Sequence, residues 1–121
     1  MIIKLNRGDS FNFSIVPFSY YTKESLYKLK PDDVVYFALM NPHQPFEEAF
    51  LIKGYTFEDQ NTKTGEIEIK ITPNDTRELK PGVYYYTIKL QRGGTLDVIN
   101  DLDEPDEVCT IVERTKFIVN E

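Results

Sequence analysis

The densest chemistry in the chain lies in DVINDLDEPDE, residues 97 to 107, which carries Asp97, Asp101, Asp103, Glu104, Asp106 and Glu107. Carboxylate oxygens are the ligands Ca²⁺ takes, and two carboxylates in a cleft can share acid and base work. The spacing lacks the EF-hand order and its central glycine, however, and Pro105 interrupts it. A solvated loop that spreads its like charges is the plainer reading, with Ca²⁺ left as an open alternative. The single histidine, His43, sits in NPHQPF between prolines, with no Cys or His nearby to complete a zinc site. Cys109 lies within the apolar alternation EVCTIV, which makes it a strand residue rather than an activated nucleophile. Neither a glycine-rich phosphate loop nor a G-x-S-x-G elbow is present. These residues predict no catalytic, cofactor or metal site, and a protein that is not an enzyme.

Binding chemistry is the remaining possibility. Tyr20, Tyr21, Tyr27, His43 and Phe46 fall in loops or irregular stretches, where aromatic side chains can serve a partner or simply pack beneath a loop. Arg7-Gly8-Asp9-Ser10 spells a tetrapeptide that adhesion proteins present to integrins. Its position between the alternating runs around Leu5 and Phe11 makes it a strand-opening turn instead. Gly8 supplies backbone freedom there, and Asp9 can bond its own backbone two residues on.

The whole composition narrows the classes further. In 121 residues the net charge is −6, and the 14 basic residues are scattered, which argues against a nucleic-acid surface. One cysteine excludes an internal disulfide. No apolar run approaches bilayer length, and MIIKLNRGD has no apolar core of signal-peptide size. The expectation is one domain over residues 1–121, made in a cytoplasm, with no membrane partner.

The elements that must position these residues show a period of two. Phe11, Phe13 and Ile15 share a face, as do Val35, Phe37 and Leu39, then Ile67, Ile69 and Ile71, then Tyr84, Tyr86, Ile88 and Leu90. IIKL at 2–5 and FLIKGY at 50–55 are weaker candidates. VCTIVERTKFIV at the end is one or two strands, with a turn near Glu113-Arg114 as the dividing point. NDTREL, 74–79, predicts one helical turn capped by Asn74 or Asp75. Turn residues separate the runs, so the chain is all-β: seven to eight short antiparallel strands in a sandwich or small barrel. Leu79, Pro81, Gly82 and Tyr84 in RELKPGVYYY mark a tyrosine corner, where a hydroxyl satisfies a backbone group left unpaired as the chain crosses between sheets.

The order of these signals resembles a known family. L-x-x-GD-x-F-x-F-x-I at Leu5–Ile15 precedes L-x-x-DD-x-V-x-F-x-L at Leu29–Leu39 and a G-x-I-x-I run at Gly65–Ile71. P-x-DT-x-x-L-x-PG-x-Y-x-Y-x-I-x-L at Pro73–Leu90 and V-x-T-I with a final F-x-V close the pattern. This is similar to the small immunoglobulin-like β-sandwich proteins of tailed bacteriophages and prophages, in particular the N-terminal domain of upper baseplate proteins. The resemblance implies an immunoglobulin-like domain over residues 1–121. It also implies a non-enzymatic virion structural protein of the baseplate, tail or head, assembled in the bacterial host cytoplasm. Its partners would then be other virion proteins, with a homo-oligomer in the particle as one arrangement. The alternative function is a free-standing immunoglobulin-like recognition module for carbohydrate or protein.

Overall fold

Alternation becomes burial along the simplest strand first. Ile67, Ile69 and Ile71 are buried, while Glu68 and Lys70 between them face water. The computed structural model describes residues 1–15, 33–61, 63–92 and 107–121. Within them seven strands form: β1 (Ile3–Asn6), β2 (Phe11–Ile15), β3 (Val34–Met40), β4 (Leu51–Thr56), β5 (Ile67–Ile71), β6 (Gly82–Arg92) and β7 (Glu107–Asn120). One short helix, α1 (Pro73–Thr76), joins β5 to β6.

The strands divide into two sheets, one ordered β1-β7-β6-β3-β4 and the other pairing β2 with β5. The protein is therefore mostly β, as the period-two pattern requires. One expectation needs correcting. The sheets are not wholly antiparallel, because β1 runs parallel to β7, with Ile3 opposite Phe117 and Leu5 opposite Val119. The reason lies at Arg7–Ser10, where the chain leaves the larger sheet and begins the smaller one at Phe11. β1 and β2 consequently cannot form a hairpin, and β1 takes the last strand as its neighbour.

Apolar faces of the two sheets meet in a core of β-branched and aromatic side chains. Phe13 from the small sheet lies against Phe37 and Tyr86 of the large one, with ring centroids 6.4 and 6.3 Å away. Phe37 and Tyr86 themselves stack at 5.5 Å. Offset and edge contacts of this kind suit the ring quadrupoles and stabilise beyond the area they bury.

β3 is buried along its whole length because both of its faces are covered. Val35, Phe37 and Leu39 enter the main core, while Val34, Tyr36, Ala38 and Met40 belong to a second cluster on the outer face. The segment after β3 folds back over that face and sets Phe46 edge-on to Tyr36, centroids 6.4 Å apart.

β7 is one strand of 14 residues, not two. The break in alternation at Glu113-Arg114 is a bulge instead of a turn: Tyr86 pairs with Thr115 but Ile88 with Val112. Extra residues in β7 leave a ladder group to satisfy. Thr87 Oγ1 donates to the Val112 carbonyl at 2.7 Å and does so.

The two sheets are also sewn together along one side. Antiparallel pairing uses the backbone of alternate residues on each side of a strand, so Lys70 turns its N–H and C=O away from β2. Both are met by side chains from β4. Tyr55 Oη accepts from the Lys70 N–H at 3.1 Å, and Lys53 Nζ donates to the Lys70 carbonyl at 2.7 Å. Such cover removes an open edge that another chain could pair with.

Candidate functional site

The turn at Gly8 and the helix α1 form a densely hydrogen-bonded local assembly. Thr72 is the N-cap of α1 and Pro73 opens it, a position where proline's missing N–H costs nothing. The Thr72 N–H donates to Asp75 Oδ2 at 2.7 Å, so the cap is Thr72 with Asp75 three residues on, not Asn74 or Asp75 as the cap itself. Lys53 Nζ lies 2.6 Å from the same carboxylate oxygen. Burial pushes the Asp75 carboxyl up, but the Lys53 and Thr72 hydrogen bonds and the Lys53 charge outweigh it and hold the group below the usual range.

α1 then places Thr76, fully buried, against the first turn. The Gly8 N–H donates to Thr76 Oγ1 at 3.0 Å, and that hydroxyl donates to the Asp9 carbonyl at 3.3 Å. Gly8 has φ +86°, a conformation that an L side chain rarely adopts. The turn closes through the Asp9 N–H to the Asn6 carbonyl at 3.0 Å, while the Arg7 N–H extends the β1–β7 ladder to Asn120 at 2.7 Å. Arg7-Gly8-Asp9 is thus a sheet-crossing turn whose conformation is held from across the molecule.

At the following crossover, Tyr84 Oη donates to the Lys80 carbonyl at 2.6 Å. Leu79 packs half-buried against the core, and the Tyr84 ring meets Phe50 edge-on at 5.7 Å. Pro81 is exposed, and Gly82 opens β6 with neither a positive φ nor any atom near the place a Cβ would take.

Of the aromatic candidates, Phe46 is 8% exposed, too buried to meet a partner with its ring face. Of the two readings open for it, partner contact and packing beneath a loop, packing is the one observed, because the outer face of β3, with Tyr36, Ala38 and Met40, needs cover. His43 is exposed, with φ +128°, unusual for a side chain with a Cβ. Tyr20, Tyr21 and Tyr27 lie outside the described residues, as does the acidic stretch up to Asp106.

Described residues line two open hollows of note. One, of about 510 Å³, is lined by polar groups including Asp59, Asn61, Glu66 and Glu68. Several of these are spent locally: Asp59 Oδ2 accepts from the Thr56 N–H at 2.8 Å, and Asn61 Oδ1 from the Lys63 N–H at 2.8 Å. The other, of about 350 Å³, lies on the outer face of the large sheet, between Phe46, Lys89 and Arg114. Among the described residues no three His, Cys, Asp or Glu side chains stand close enough to hold a metal, and no helix is long and apolar enough to cross a membrane.

Sequence reasoning missed Thr76, Lys53 and the Lys89–Arg114 hollow. Thr72-Pro73-x-Asp75 did carry a signal for the cap, since threonine three residues before an acid, with proline between, is a helix-start pattern. Thr76 stands in the DT of the third motif, but its bonding role carried no local signal, because its partners are 67 and 68 residues away. The chain matches no protein-family model and no curated protein.

Proposed function

We propose that the protein is a non-enzymatic structural component of a bacteriophage particle, a baseplate, tail or head-associated module working through contacts with neighbouring virion proteins. Its body on this reading is an immunoglobulin-like sandwich. The observation that carries the reading is the clip formed by Gly8, Asp9 and Thr76. The hydroxyl of Thr76 in the third motif accepts from the Gly8 N–H and donates to the Asp9 carbonyl of the first. A few residues on, the Tyr84–Lys80 bond occupies the P-G-x-Y segment of that third motif.

The parts of the sequence that resemble phage sandwich proteins therefore act as fasteners of the β framework. Polar side chains are spent on backbone groups at the crossovers, which is the use a scaffold makes of them. The parallel pairing of β1 with β7, and the step of β2 into the opposite sheet, support the immunoglobulin-like architecture.

The test is sedimentation. Particles of the phage or prophage that encodes the chain are separated on a density gradient and probed with an antibody to it. The protein is expected in the particle band. Recovery only from the soluble fraction at the top of the gradient overturns the proposal.

A further inference from the structure

The outer face of β6 and β7 carries more positive charge than a chain of net charge −6 leads one to expect. Lys89 and Arg114 line the groove of about 350 Å³ together with Met40, Phe46, Thr87 and Glu113. Lys89 Nζ lies 4.6 Å from the centroid of the Phe46 ring. Arg114 Nη2 donates to Met40 Sδ at 2.9 Å, a thioether being a weak acceptor. Each cation is held by a soft, uncharged neighbour. Among the described residues the ion pairs join Lys53 to Asp75 and Lys70 to Glu68, away from this face.

The same face continues toward β1. Lys116 is exposed opposite Tyr85, and Lys4 is exposed between buried Ile3 and Leu5, opposite Ile118. Val83, also opposite Ile118, is 44% exposed. Lys4, Lys89, Arg114 and Lys116 thus share the outer sheet face, and among the described residues that line the groove the one carboxylate is Glu113.

We propose that this groove binds an acidic segment of a partner protein, with carboxylates on Lys89 and Arg114 and further carboxylates toward Lys116 and Lys4. The inference rests on the reading that the protein works through protein contacts, and it names the chemistry of the partner. A guanidinium fork matches a carboxylate in two hydrogen bonds, and arginine is among the residues that carry much of the energy of interfaces. Nucleic acid fits less well. Single-stranded nucleic acid is gripped by stacking its bases on exposed aromatic rings, and the Phe46 ring at this groove is 8% exposed.

Fluorescein-labelled peptides test it by anisotropy: one alternating Glu and Leu, one alternating Gln and Leu, each titrated with the intact protein. The acidic peptide is expected to bind, more weakly as salt rises, and the Gln peptide not to. Lys89→Glu with Arg114→Glu should weaken binding by about tenfold or more, since one lost charge-assisted pair is worth about that. Lys89→Gln with Arg114→Gln should move it less in the same direction, with a thermal midpoint near wild type. Equal affinity in wild type and both variants overturns the proposal, as does no binding at millimolar protein. Preference for a short single-stranded DNA over the acidic peptide overturns it too. A chain present in particles but indifferent to the peptide defeats this inference alone, leaving the virion assignment standing.

Discussion

A single hydroxyl, that of Thr76, satisfies two backbone groups of a turn that lies 67 and 68 residues earlier. Replacing it with valine keeps the shape and orphans the Gly8 N–H, which should cost about 1–3 kcal/mol. Thr76→Ser, which retains the oxygen, should cost less, and urea unfolding of the two variants separates them. Tyr84→Phe removes only the bond to the Lys80 carbonyl and should cost about 1 kcal/mol in the same assay.

Asp75 makes the stability depend on acid. Its folded value is lowered, so its contribution is complete above the ordinary aspartate value of about 4 and disappears as pH falls through the folded value. Asp75→Asn should therefore melt below wild type at neutral pH, and the gap should close in strong acid. The role of Tyr84 was legible because its acceptor is four residues upstream. The role of Thr76 was not, since nothing near it in the chain names its partners.

Strands with one polar face were easy to read, as in Ile67–Ile71, because burial there follows the alternation directly. β3 was half legible. Val35, Phe37 and Leu39 declared the core face, but Tyr36 and Ala38 gave no warning that their own face would be buried. That cover comes from Phe46, which a local reading places in an accessible loop. Phe46→Ala should open the outer cluster and cost about 3 kcal/mol, read as a lower urea midpoint. It should also remove the ring beneath Lys89. In β7 the irregularity at Glu113-Arg114 was visible as a slip in period. Whether a slip becomes a turn or a bulge depends on the neighbouring strand, here β6 with Thr87 ready to take the freed Val112 carbonyl.

Across the whole molecule, the all-β class followed from the pattern of residues, while the pairing of strands did not. Period two says which side chains point inward but not which strand lies alongside, so the parallel meeting of β1 with β7 was outside its reach. Charge behaves similarly. A net charge of −6 describes the chain, yet folding gathers Lys4, Lys89, Arg114 and Lys116 onto one face. Four of the 14 basic residues scattered along the chain thus come onto one face of the folded sheet.

A scaffold with its polar groups committed to its own crossovers, and a cationic sheet face left outward, suits a part that is counted into an assembly. Virion components are built in by symmetry, in fixed number. Quantitative mass spectrometry of gradient-purified particles measures that number against the major capsid and tail proteins. The proposed virion role requires peptides of this chain at a constant ratio, a whole multiple set by head or tail symmetry, from one preparation to the next. Particles that lack it, or carry it at a ratio that drifts from one preparation to the next, would contradict the proposed virion role.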